Sequence, residues 1–256
     1  MTIEQTFQKL AAMKFTGMHE AFERWWNTRS RSGSEALEPE ELVGILADAE
    51  WTARENRKLT SLLKQARFPM RARVEEINHR HPRGLRKQAM LDLISCRWIA
   101  ARQNVIISGA TGLGKSWLPC ALGEKACRDG YSVLYTRCPT IFEELRRAHA
   151  DGTYANVIKR IAKTQLLIID DFGSAALEAR ERRDLREILE GRYSVSSTIV
   201  TSQLEPKHWH SFIGDDTVAD AICDRLVHNA HRIELAGESM RKLRGLEENG
   251  SDDAES

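Results

Sequence analysis

An apolar strand running straight into a glycine-bracketed turn constrains this chain more than any other feature. Val105-Ile106-Ile107-Ser108 leads into Gly109-Ala110-Thr111-Gly112-Leu113-Gly114-Lys115-Ser116, a GxxxxGKS spacing, and a helical stretch follows. Strand, glycine turn and helix in that order make a phosphate-binding loop. Glycines let successive backbone N–H groups curl around phosphate oxygens where a side chain would stand in the way. The eight residues Gly109, Ala110, Thr111, Gly112, Leu113, Gly114, Lys115 and Ser116 are therefore the expected contacts of a nucleoside triphosphate. Lys115 reaches the β and γ phosphates, Ser116 ligates Mg²⁺, and the start of the helix adds partial positive charge.

Beyond the loop, strand and helix alternate. Short apolar runs at 132–135, 166–169, 198–201 and 231–235 join the one at 105–108, with helical segments between them. About five strands in that alternation predict an α/β fold, a parallel sheet flanked by helices, with ligands at the carboxyl ends of the strands.

The residues before it read as helical. Thr2 and Gln5 form a capping box, and Phe7, Leu10 and residues 13–15 follow at near-helical spacing. A second helix over 17–26 carries Met18, Phe22, Trp25 and Trp26 on one stripe, and a short joint follows at 30–34. Pro39 opens a long helix through about Phe68, with Leu42, Ile45, Leu46, Ala49, Ala53 and Leu59 along one side. Pro69 ends it; 79–84 is a loop, and 87–101 a further helix. The expected organisation is a small all-helical N-terminal domain over 1–70, a nucleotide-binding domain over 71–244, and a disordered acidic tail over 245–256.

A net charge of +1 conceals an uneven distribution. Residues 51–98 hold 12 Lys and Arg against 4 Asp and Glu, leaving 26 against 33 elsewhere. A basic segment attached to an acidic nucleotide-binding body points to a polyanion, most simply DNA. Arg54, Arg57, Lys58, Lys64 and Arg67 cannot lie on the apolar stripe of the long helix and form its basic flank, the expected DNA contacts. The five cysteines form no CxxC pair and read as reduced, mostly buried thiols of a cytoplasmic protein. Neither a secretory signal nor an apolar run of membrane-spanning length is present, so no membrane partner is expected. His208 with His210 and His228 with His231 lack a third ligand at zinc spacing and read as structural groups.

A phosphate loop needs a carboxylate to hold Mg²⁺. Leu166-Leu167-Ile168-Ile169 followed by Asp170-Asp171 supplies a buried strand with acids at its carboxyl end. Asp170 is the expected Mg²⁺ partner, through water, and Asp171 the base that orients the attacking water. At the end of the next strand, Ser202 and Gln203 are both candidates for positioning that water and reporting the state of the γ-phosphate. Arg225 lies on a helix after a Gly-Asp-Asp loop, where it can act in trans on a neighbour's nucleotide or pair with Asp220 or Asp224.

With these residues in place, the chain resembles the IstB-type ATP-binding proteins of insertion sequences, within the AAA+ clade that includes the DnaC helicase loaders. The carrying segments are 109–116, 166–173, 182–185, 201–204 and above all 219–235 with 237–241. The resemblance implies an AAA+ P-loop ATPase that hydrolyses ATP with Mg²⁺ and self-assembles on double-stranded DNA. It implies further that the assembly delivers a cognate transposase to its target. Arg225 would occupy the arginine-finger position between subunits, and Arg241 a second phosphate-sensing position. A DnaC-like helicase loader is the alternative within the class, and a nucleotide-gated DNA scaffold with little turnover the alternative outside it. Two departures bear on rate. Asp171 stands where many relatives carry Glu, a longer reach to water that predicts slow turnover. Pro119 removes an N–H that could bond the carbonyl of Lys115.

Overall fold

The computed structural model describes residues 2–29, 37–79 and 81–239; the joint at 30–34, Arg241 and the acidic tail lie outside the described residues. The chain forms two compact units, Met1–Ser61 and Leu62–Ser256. The division falls inside a long helix, ahead of the boundary expected near residue 70, because the last turns of that helix, ending in fully buried Ala66, belong with the second unit.

The first unit contains α1 (Ile3–Ala12), α2 (Thr16–Arg29) and the greater part of α3 (Pro39–Ala66). Thr2 caps α1 through the capping box with Gln5. Lys14 turns the chain with φ of 60°. Phe7, His19, Phe22 and Trp25 pack edge-on or stacked at 5.2–5.6 Å between successive rings. A buried acid on α3 caps α2: Glu50 accepts the N–H groups of Gly17 at 2.9 Å and Met18 at 3.3 Å. Gly17 is required there, since a Cβ would lie 2.6 Å from that of Ala53 and collide with the carbonyl of Ala49. The expected apolar stripe of α3 is only partly realised, for Ile45 is 48% exposed.

In the second unit, the single helix expected over 87–101 is two: α4 (Lys87–Ile94) and α5 (Arg97–Ala100). Cys96 between them adopts φ of 54°, which helical periodicity does not reveal, and Trp98 Nε1 bridges the break to the carbonyl of Leu93 at 2.9 Å. Then follow β1 (Asn104–Gly109), α6 (Trp117–Arg128), β2 (Val133–Arg137), α7 (Cys138–Ala150), α8 (Tyr154–Lys163) and β3 (Leu166–Phe172). The chain continues with α9 (Ala179–Arg192), β4 (Ser197–Ser202), α10 (Trp209–Ile213), α11 (Asp216–Val227) and β5 (Ala230–Leu235). Every strand pairing is parallel, in the order β2-β3-β4-β1-β5. Continuous apolar runs such as Leu166–Ile169 are what a parallel strand covered on both faces requires.

The core between sheet and helices is anchored by Trp209, fully buried and edge-on to Phe172 at 4.7 Å. A buried arginine ties three elements together. Arg192 at the end of α9 donates to the carbonyls of Ile161 in α8, of Thr164 just after it and of Ser197 on β4, and to the Thr198 hydroxyl. Burial alone pushes its guanidinium down to about 9. The cysteines are free thiols; Cys96, Cys120, Cys127 and Cys138 are buried. Among the described residues no helix is long and apolar enough to cross a membrane.

Candidate functional site

β1 places the glycine turn at the carboxyl edge of the sheet. Gly109, Gly112 and Gly114 have φ of 146°, 91° and 87°, values open to glycine alone at so little cost. Leu113 is buried and pins the turn from below, while Thr111 is exposed. The carbonyl of Gly114 accepts the N–H groups of both Trp117 and Leu118, at 3.1 and 3.0 Å, so the chain is already coiling as it leaves the turn. Pro119 is the third residue of α6, within its first turn, where proline's fixed φ is tolerated although the Lys115 carbonyl goes without that N–H. α6 then runs unbroken to Arg128.

Lys115 is buried and folds back to donate to the carbonyl of Ala110 at 2.7 Å. Burial lowers its pKa, and the nearby Asp171 and Asp170 oppose that shift. A buried ammonium whose one hydrogen bond among the described residues is to a carbonyl is a group prepared for an anion. Ser116, the N-cap of α6, makes no side-chain capping bond, so its hydroxyl is not spent on the helix.

The two carboxylates at the end of β3 occupy different surroundings. Asp170 is 2% exposed and accepts the Tyr135 hydroxyl at 2.6 Å on one oxygen and the Thr201 hydroxyl on the other. Burial first, and then the bond to Asp170, raise the pKa of Tyr135 and keep it a donor. Asp170 retains acceptor capacity on both oxygens. A hard carboxylate oxygen together with the uncommitted Ser116 hydroxyl suits Mg²⁺.

Asp171 is turned outward. The β3–β4 register shifts between Ile169 and Phe172, and Asp171 takes φ of 58° and donates its N–H to Thr201 Oγ1 at 3.1 Å. One of its oxygens, Oδ2, accepts Nε of Arg137 at 3.0 Å and Nη2 at 2.5 Å. Tyr135 and Arg137 belong to none of the motifs in the sequence, and Thr201 stands there only within the polar end of the strand at 198–203. Thr201 and Tyr135 read as ordinary polar positions within strands, and only the parallel register reveals that they face the acids.

Of the two candidates after β4, the fold separates the roles. Ser202 is fully buried and commits its hydroxyl to the turn, donating to the Phe172 carbonyl at 2.7 Å and accepting from Leu204 N–H at 3.0 Å. Gln203 is exposed just beyond the strand end.

Arg225 does not meet the phosphate loop of its own chain. Its carbonyl accepts from Asn104 Nδ2 at 2.9 Å, and Asn104 begins β1 whereas the loop follows its end, about 17 Å away along the strand. The Arg225 guanidinium donates to the Ala221 carbonyl at 2.9 Å and to Glu190 at 3.3 Å, lies 6.0 Å from the Tyr193 ring centroid, and is 26% exposed.

The candidate DNA contacts are exposed. Glu50 holds Arg54 at 2.7 Å and Arg57 at 3.2 Å, and Arg54 also covers the Phe15 ring at 5.0 Å. Lys58 and Lys64 are exposed, and Arg67 lies 3.7 Å from Glu144 while 57% exposed.

Known proteins match this arrangement over most of its length. The family model described as IstB-like ATP binding protein matches residues 8–247. Insertion sequence ATP-binding protein y4pL of Sinorhizobium fredii is 48% identical over 242 residues, covering 94% of this chain and 98% of the relative. The IS1162 ATP-binding protein of Pseudomonas fluorescens is 40% identical over 205 residues, covering 80% and 87%. Among solved structures, DnaI superposes with a TM-score of 0.57 at 22% identity, covering 69% of this chain and 94% of that one. The DnaC helicase loader gives 0.53 at 18% identity, covering 64% and 97%. The fold is thus the P-loop fold of AAA+ proteins.

Proposed function

The chain belongs to the IstB-like ATP-binding protein family, and from that premise we propose that it is an ATP-hydrolysing helper of transposition. It assembles on double-stranded DNA as a homo-oligomer and brings a cognate transposase to that DNA. The observation that supports this most directly is that buried Lys115 and Asp170 stand at the carboxyl edge of the sheet while Arg225 stands at the amino edge. That separation supports a reading in which one chain holds halves of two sites and a second copy supplies the arginine.

The triphosphate lies against the backbone of the glycine turn, and Lys115 exchanges the Ala110 carbonyl for phosphate oxygens. Ser116 and Asp170, the latter through water, would hold Mg²⁺, which would supply positive charge against the triphosphate. Asp171 keeps Oδ2 for Arg137 and uses Oδ1 to take a proton from the attacking water. The bond from the γ-phosphorus to the bridging oxygen breaks, and ADP and phosphate leave. Gln203 positions the water. Arg225 of the neighbouring copy stabilises the charge that develops on the transferring group. The exposed Arg54, Arg57, Lys58, Lys64 and Arg67 bind DNA phosphates, with little preference for sequence and with strong dependence on salt.

The test is the ATPase rate and sedimentation of the wild type and of Lys115→Ala, each with and without duplex DNA. ATP and DNA together are expected to drive the wild type into a large assembly and to leave Lys115→Ala small. A wild type that stays monomeric with both would overturn the assembly. Recovery of a replicative helicase and no transposase in pull-downs would favour loading of a helicase instead.

A further inference from the structure

Buried arginines spend their donors, and one here does not. Arg83 lies in the loop before α4 and is 3% exposed. Its Nη1 donates to the carbonyl of Leu113, inside the phosphate loop, at 2.9 Å. Its Nε is sealed from solvent and, among the described residues, has no partner. No carboxylate among the described residues lies within ion-pair distance of it. Arg192 marks the contrast: that buried guanidinium satisfies itself on three carbonyls and a hydroxyl. Burial lowers the pKa of Arg83, yet an arginine stays charged.

The backbone around Arg83 is built to hold it there. Its carbonyl accepts the Ala236 N–H at 3.1 Å, and His81 Nε2 meets the Glu238 carbonyl at 3.2 Å. Gly84 and Gly237 allow this approach, since a Cβ on either would lie 2.7 Å from a carbonyl oxygen of the opposing segment. The guanidinium in turn fills the space beside Gly114, where a Cβ would stand 2.7 Å from Nη1. Two desolvated cations, Lys115 and Arg83, thus border one glycine turn. A buried charge without a counterion is costly unless something supplies one.

We propose that Arg83 is a positioning residue of the nucleotide site, holding the phosphate loop through Leu113 and adding its charge to that of Lys115 for the triphosphate. Its counterion is the ligand. This rests on the phosphate-loop assignment.

Arg83→Lys and Arg83→Gln each keep a donor for the Leu113 carbonyl, and only the lysine keeps the charge. A fluorescent ATP analogue is titrated against both, against the wild type and against Lys115→Ala, and urea unfolding is measured without nucleotide. Arg83→Gln, which loses the charge, is expected to bind about tenfold more weakly and Arg83→Lys, which keeps it, within about threefold of the wild type. Nucleotide-free Arg83→Gln is expected to be at least as stable as the wild type, having lost an unpaired buried charge. Equal affinities for the two variants, wild-type affinity for Arg83→Gln, or failure of Arg83→Gln to fold would overturn the proposal. Wild-type affinity in Lys115→Ala would instead overturn the phosphate-loop assignment beneath it.

Discussion

The hydroxyl of Thr201 accepts the backbone N–H of Asp171 at 3.1 Å and donates its own proton to the carboxylate of the preceding residue, Asp170. A side chain on β4 thus sets both acids at the end of β3: it holds one carboxylate oxygen of Asp170 and anchors the bulge that turns Asp171 outward. Thr201→Val keeps the shape and removes both bonds. It is expected to lower stability by about 1.5–3 kcal/mol, the range for a hydrogen bond to a buried charged group, and to lower ATP turnover. Thr201→Ser is expected to restore both. Urea unfolding and phosphate release measure the two effects; a Thr201→Val protein with unchanged turnover would detach Thr201 from the site.

Glu50 ties the stability of the helical unit to pH. Its bond to Arg54, and then its bonds from Met18 and Gly17, hold the carboxyl below its ordinary 4.5 against the opposing effect of burial. A folded-state pKa below the unfolded one stabilises above the unfolded value and is lost as pH falls through the folded value. The first unit is therefore expected to loosen below about pH 4.5, followed by the fluorescence of Trp25 and Trp26. Glu50→Ala removes the cap of α2 and is expected to cost about 1–2 kcal/mol at neutral pH and to abolish that acid transition.

Ser202 and Gln203 are adjacent and are expected to fail differently. Ser202→Ala strips the Phe172 carbonyl and the Leu204 N–H of a partner, so stability is expected to fall by about 1–3 kcal/mol while nucleotide affinity holds. Gln203→Ala removes an exposed side chain, so stability is expected to stay within about 0.5 kcal/mol while turnover falls. Thermal melts alongside steady-state rates separate the two.

The sheet was legible because a parallel strand covered on both faces must be apolar along its buried length, and 166–169 and 105–107 are. The glycine turn was legible because glycines at that spacing, after an apolar strand and before Lys115 and Ser116, leave few alternatives. What escaped depends on contacts between distant segments. Glu50 reads as one acid among several on α3, and only the approach of Gly17 buries it. The break at Cys96 is a single left-handed residue inside a sequence with good helical spacing. Ser202 and Gln203 share a strand end, and which of them faces inward follows from the β-bulge beside them. Arg83 looked like one more positive charge in a basic segment until the loop carrying it closed on Leu113.

Arg225 and Lys115 at opposite edges of one sheet make the central claim a claim about two chains, and mixing tests it most directly. Arg225→Ala and a loop-side variant that keeps Lys115 and so still binds ATP and assembles, Asp171→Asn, each expected to be inactive alone, are combined in equal amounts with ATP and duplex DNA, and phosphate release is measured. Sites pairing an intact Asp171 with an intact arginine make up about a quarter of the interfaces in a random assembly, so activity near that fraction of the wild type is expected. Full activity of Arg225→Ala by itself, or no activity in the mixture, would contradict a site shared between subunits.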